Sequence, residues 1–143
     1  MTELTQAPGY YRRRAGDVVV TALHDGVLHL GAEVIQRVPA DEVARLRRAA
    51  FEPEELALSI SVFALHLADG RVALVDGGYG PGGPDTAGRL PQSMAAADLA
   101  PHDIASVLLT HLHPDHIGGL LDARGGAAFA RAELVVPRAE AAY

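Results

Sequence analysis

Three of the seven histidines in this 143-residue chain fall within six residues, His111-Leu112-His113-Pro114-Asp115-His116, with Gly118 and Gly119 just beyond. Neutral imidazole and carboxylate suit zinc, manganese, iron or nickel, so the donor types point to a metal without choosing one. The chain has no cysteine, which excludes thiolate zinc sites, a thiol nucleophile and disulfides together. Any metal must be held by His and carboxylate. Alternation along an extended segment can aim His111 and His113 to one side. Pro114 then ends the extended run and starts a helical turn that carries Asp115 and His116 to an adjacent position. Gly118 and Gly119 lack Cβ atoms and let backbone pack close beneath the cluster.

The elements that must position this loop can be read outward from it. DIASVLLTH, Asp103 to His111, is a short and nearly continuous apolar run, the pattern of a strand buried on both faces with helices packed over the sheet. Upstream, two strands are expected at about Ala57 to Leu67 and Arg71 to Asp76, joined through Asp69-Gly70. Asp76 ends the second of these, and the glycines and prolines of GYGPGGPDTAGRLPQ, from Gly78, predict a long irregular loop beside whatever that strand points to. The loop lacks the Lys-Ser/Thr ending of a phosphate-binding loop, so nucleotide binding is rejected.

Nearer the N-terminus, DVVVTALHDGVLHL predicts a first hairpin turning at Asp25-Gly26. ADEVARLRRAA after Pro39 predicts an amphipathic helix with acids early and arginines late, and Glu52 to Leu56 reads as a linker. A helix over Gln92 to Leu99, a last strand near Glu133 to Val136 and a helix from Pro137 to Tyr143 complete an α/β pattern with no internal boundary.

THLHPDHIGG resembles the His-x-His-x-Asp-His signature of the metallo-β-lactamase-fold superfamily. VALVDGG, Val72 to Gly78, is similar to that superfamily's strand ending in Asp-Thr-Gly, with Gly77 in place of Thr. The order of elements from the opening hairpin to VVPRAEAAY resembles the methyl parathion hydrolase and lactonase-like branch. The resemblance implies an αββα sandwich of which residues 1–143 form a single partial domain, its N-terminal portion. It implies two zinc ions in the complete fold, with His111 and His113 on the first, Asp115 and His116 on the second, and Asp76 as a supporting, loop-ordering residue. It also implies a third His, a bridging Asp and a last His from further downstream. No His follows His116, and Asp122 lies too close to the loop to bridge. A chain truncated at its C-terminus is therefore expected.

Paired metals lower the pKa of a bridging water and polarise a carbonyl or phosphoryl oxygen. The implied activity is hydrolysis of a small-molecule ester, lactone or phosphotriester, with Asp115 both binding metal and orienting the attacking water. Two rivals remain open: an iron-binding redox protein of the same fold, and a non-catalytic fragment that pairs with a copy of itself as a homodimer to cover an open sheet face.

Composition narrows the partners. The charge of −6, from 12 basic against 18 acidic residues, argues against nucleic acid and an anionic membrane, while 49% hydrophobic content supports a real core. No run reaches the roughly 20 apolar residues of a membrane helix, and MTELTQAPGYYRRRAGDVVV is not a secretory signal, so a cytoplasmic protein is expected. His24, His29, His66 and His102 lack partner spacing and are read as structural, Arg12 to Arg14 as a solvated edge, and Tyr10-Tyr11 as a packing contact.

Overall fold

Six strands form one mixed sheet in which each strand lies beside its neighbour in sequence, in the order β1-β2-β3-β4-β5-β6. β1 (Tyr10–Ala15), β2 (Val18–Leu30), β3 (Leu56–His66) and β4 (Val72–Val75) run antiparallel, whereas β4, β5 (Ile104–Leu108) and β6 (Glu133–Val135) run parallel. Parallel neighbours need crossovers. The first contains a 3-10 turn at Gly80–Gly82, α2 (Leu90–Ala96) and a 3-10 turn at Pro101–Asp103. The second contains α3 (Pro114–Ile117) and a 3-10 turn at Gly118–Leu120. α1 (Ala40–Ala49) lies between β2 and β3, and α4 (Arg138–Ala141) follows β6. This computed structural model describes residues 9–53 and 55–142. The readings that rest on residues 1–8, on position 54 of the linker and on Tyr143 lie outside the described residues. No described helix is long and apolar enough to cross a membrane.

The first hairpin differs from the sequence expectation. Its turn falls between Ala15 and Val18, and Asp25-Gly26 lies inside β2, where the register with β3 slips between His24 and Gly26. Both Gly16-Asp17 and Asp25-Gly26 carry turn chemistry. Asp25 is instead a fully buried bulge residue. The second hairpin forms as expected around Asp69-Gly70, where the Arg71 N–H and guanidinium both donate to the Asp69 carboxylate.

α2 begins at Leu90, two residues earlier than expected, because Pro91 sits in the first turn where its missing N–H costs nothing. Asp98, at φ 58°, lies beyond its end. Arg12 is not merely a solvated edge: its guanidinium donates to Thr21 Oγ1 at 2.9 Å and to the Ala97 carbonyl at 2.9 Å, tying β1 to α2.

The two sheet faces have different fates. Leu23, Val62, Ala64, Leu74 and Val107 point to the α2 side and pack with Leu90, Met94 and Phe129 into the core. The opposite face carries Val20, Ala22, Phe63, Leu65, Val75, Leu108 and Val135, with Phe63 41% and Val135 43% exposed. β5 was expected to be buried on both faces. Ile104 and Val107 are buried, but Ser106 and Leu108 are only half-buried because helices cover one face alone.

Candidate metal centre

β4 and β5 end side by side, and the residues after them meet. The Asp76 N–H donates to the Leu108 carbonyl at 2.9 Å, which sets Asp76 at the root of the loop that follows β5. Asp76 is 7% exposed and adopts φ 65°, a left-handed conformation that Asp tolerates better than most residues. Its Oδ1 accepts the Thr110 N–H at 2.8 Å, and the Thr110 hydroxyl lies 2.9 Å from both carboxylate oxygens. Its Oδ2 lies 2.8 Å from His116 Nδ1. Thr110 carried no signal in sequence beyond preceding His111, yet it joins Asp76 to two imidazoles.

The structure brings all five sequence-derived residues together. The His111 ring centroid is 3.9 Å from that of His116 and 4.6 Å from that of His113. Thr110 Oγ1 is 3.0 Å from His111 Nδ1, and His111 Nε2 is 3.1 Å from His113 Nδ1. His116 Nε2 is 3.3 Å from Asp115 Oδ2. α3 does this work: the N–H groups of His116 and Ile117 both donate to the His113 carbonyl, so the chain reverses at Pro114 as its sequence suggests.

The hydrogen-bond partners assign the imidazole tautomers. Asp76 can only accept, so His116 donates from Nδ1. The Thr110 hydroxyl spends its proton on Asp76, so it accepts from His111 Nδ1. His116 then turns the lone pair of Nε2 toward the Asp115 carboxylate, and two acceptors face one another. A metal cation between them would reconcile the pair. Among the described residues no three His, Asp or Glu side chains are arranged around a common point as ligands of an ion. The ring nitrogens of His111 and His113 are turned on each other instead. The donor chemistry fits a divalent metal, and receiving one requires these two rings to part.

The glycine-rich loop supports the cluster through backbone alone. The Gly77 N–H donates to the His116 carbonyl at 2.7 Å and the Gly119 N–H to the Gly78 carbonyl at 3.0 Å. A Cβ on Gly118 would collide with the Tyr79 carbonyl oxygen, which is why the glycine pair follows the loop. On the far side, the Glu140 carboxylate of α4 accepts the Leu112 N–H at 3.1 Å. Asp122 accepts the N–H groups of Arg124 and Gly126 and closes its own turn.

The remaining histidines stand elsewhere: His66 on Thr21, His29 on Glu55 and His102 on Asp103, while the His24 carbonyl accepts the Ser93 hydroxyl. A cavity of about 560 Å³ opens beside α2, walled by Leu90, Met94, Leu99, Gly119 and Phe129. None of the five candidate residues lines it.

A one-sided sheet thus gathers imidazoles and carboxylates at the ends of two parallel strands. The model of the metallo-beta-lactamase superfamily matches residues 57–129, half of the chain, and the protein belongs to that superfamily. Among solved structures it is similar to AidC, a dizinc quorum-quenching lactonase, with 25% identity and a TM-score of 0.87 over 92% of this chain and 46% of that one. It is similar also to the hydrolase AbOPH, with 29% identity and a TM-score of 0.88 over 96% and 47%. A probable metal-dependent hydrolase from Staphylococcus aureus shares 26% identity, with a TM-score of 0.76 over 91% and 50%. Comparison with curated proteins gave no match. The chain spans about half the length of the structures it resembles. The expected likeness to the hydrolases and lactonases of this superfamily, and to the N-terminal portion of their fold, is met.

Proposed function

We propose that His111, His113, Asp115 and His116 bind divalent metal, zinc first among the candidates, and that residues 1–143 are one αβ portion of a hydrolase domain acting on a small ester, lactone or phosphotriester. The observation that carries this is His116, whose two ring nitrogens each face a carboxylate, Asp76 at 2.8 Å and Asp115 at 3.3 Å. An imidazole held in this way presents a lone pair where a cation belongs. The match to a dizinc lactonase and to two hydrolases supports the reaction class.

A bound divalent ion supplies Lewis acidity and brings the ionisation of water toward neutral pH. The chain's own residues do the rest. Asp76 fixes the tautomer of His116 directly and that of His111 through Thr110. Asp115 is the acceptor that orients an attacking water, and the loop from Gly77 to Gly88 borders the place where substrate would lie. The surroundings of the site rather than its ligands select among the substrate classes.

Elemental analysis of the purified protein beside His113→Ala tests the metal, and p-nitrophenyl ester, lactone and phosphotriester assays on the same samples test the reaction. Stoichiometric zinc that His113→Ala loses, together with turnover, is the expected result. Iron in place of zinc would replace the hydrolase with a redox protein of the same fold. No metal in the wild type, even after incubation with zinc, would overturn the proposal. The bare apolar face around Phe63 and Val135 favours a second reading, in which two copies pair through it as a homodimer. Sedimentation over a concentration series decides that question separately.

A further inference from the structure

Asp25 is nearly ninety residues from the His-rich loop in sequence and is fully buried, yet its carboxylate bonds go to the glycine-rich loop and to the start of α2 that closes it. Its Oδ2 accepts the N–H of Tyr79 at 2.9 Å and of Gly88 at 3.3 Å. Its Oδ1 accepts the N–H of Leu90 at 2.9 Å, and its carbonyl accepts the N–H of Arg89 at 2.8 Å. A carboxylate buried this deeply is costly unless it is hydrogen-bonded, and three main-chain donors on its two oxygens meet that demand. An apolar side chain could fill the same space. It could not fix where the Tyr79 N–H points.

The other side of the same loop holds the metal loop. Gly77 donates to the carbonyl of His116, and Gly78 accepts from Gly119. Gly78 is the joint: it adopts φ 74°, and a Cβ there would come within 2.7 Å of the Asp25 carboxylate carbon. Only this residue separates the point where Asp25 grips the loop, at Tyr79, from the point where the loop grips His116, at Gly77.

We infer that Asp25 is a positioning residue for His116, acting through the Gly77–Tyr79 backbone, so that the bulge in β2 sets the depth and tilt of an imidazole it never touches. This rests on the reading of His116 as a metal ligand. Asp25 is the residue at which β2 slips register against β3, and its carboxylate leaves the ladder to meet the loop.

Asp25→Asn replaces one acceptor oxygen with an amide that faces N–H donors. The expected result is zinc affinity lower by about tenfold, the range found when outer partners of a metal ligand are lost, with displaced imidazole ¹⁵N signals for His116 and unchanged signals for His29 and His102. Gly78→Ala attacks the joint from the other side and should give the same pattern, and the double variant should lose little more than either single one. Asp69→Asn, in the distant β3–β4 turn, should match the wild type.

Folded Asp25→Asn and Gly78→Ala proteins with wild-type His116 signals would overturn the inference, whatever their melting temperatures. Should neither variant fold, amide exchange in the wild type decides: the Gly77, Tyr79 and Gly119 N–H groups must open as one unit, and independent opening overturns the inference. A wild type that takes up no zinc would sink the metal reading alone, since the His116 signals and the exchange pattern still test Asp25.

Discussion

Substitutions at Asp76 should separate stability from the proposed metal affinity, because its two oxygens have different partners. Oδ1 receives the part-buried Thr110 N–H, and Oδ2 receives His116 Nδ1–H. Asp76→Ala removes the acceptor of the Thr110 N–H, worth about 1 kcal/mol at this part-buried position, and holds an alanine at φ 65°, worth about 1 kcal/mol more. Their sum, about 2 kcal/mol, corresponds to a fall in melting temperature of about 7 °C for a chain of this length. Asp76→Asn is different. Asparagine tolerates positive φ and keeps Oδ1, so its stability cost should be about 1 kcal/mol. Its amide nitrogen, however, presents a donor where Oδ2 accepted. His116 must then accept at Nδ1 and carry its proton on Nε2, which consumes the lone pair facing Asp115. Zinc affinity should fall about 10- to 100-fold while the protein stays folded. Zinc titration by calorimetry gives the affinity, and long-range ¹H–¹⁵N spectra of the imidazole give the tautomer. An Asp76→Asn protein that binds zinc as tightly as the wild type, with His116 still protonated at Nδ1, would refute the reasoning.

Three further outcomes follow from geometry already described. Gly118→Ala drives a methyl into the Tyr79 carbonyl oxygen, backbone that has no rotamer to retreat into, and should cost about 2–3 kcal/mol in urea denaturation. Burial first and the Arg12 guanidinium second hold the His66 pKa below its ordinary 6.5, so the unfolded chain takes that proton earlier than the folded one. Stability is then complete above about pH 6.5 and declines as pH falls below it. Arg12→Ala should lower stability near neutral pH by about 1–2 kcal/mol through its lost bonds to Thr21 and Ala97. It should also flatten this acid-side decline, as read from paired denaturation curves on either side of the midpoint. Phe63→Glu on the bare sheet face should shift any self-association toward monomer in sedimentation velocity without changing the circular dichroism spectrum.

What could be read from sequence was local in character. The His-rich loop, the turn at Asp69-Gly70 and the glycine pair at Gly118-Gly119 each concentrate their chemistry within a few residues, so side-chain type and spacing suffice. Asp25 could not be read that way. As part of an Asp-Gly pair it carries the strongest short-range hairpin signal, and what overrides that signal is a set of donors 54 to 65 residues away. The competing Gly16-Asp17 turn was the available clue, since a hairpin there leaves Val18 to Leu30 as one long strand that must absorb an irregularity somewhere. Thr110 and Glu140 escaped for the same reason: one hydroxyl and one acid among many, each given meaning only by the main chain it meets.

The sheet adds its strands in the order in which the chain is made, β1 through β6. As the polypeptide leaves the ribosome, each new strand finds its template already present, and no strand waits for a later one to be inserted between two others. The His-rich loop comes after β5, when the Asp25 bulge and the glycine loop that receives it already exist. The last piece laid down before the sheet gains its sixth strand is thus the one carrying the histidines, delivered onto a finished surface. Folding during synthesis should therefore mature the scaffold first and the His-rich loop last. A ribosome stalled a few tens of residues past Val75 would hold a structured sheet with an empty seat for His116.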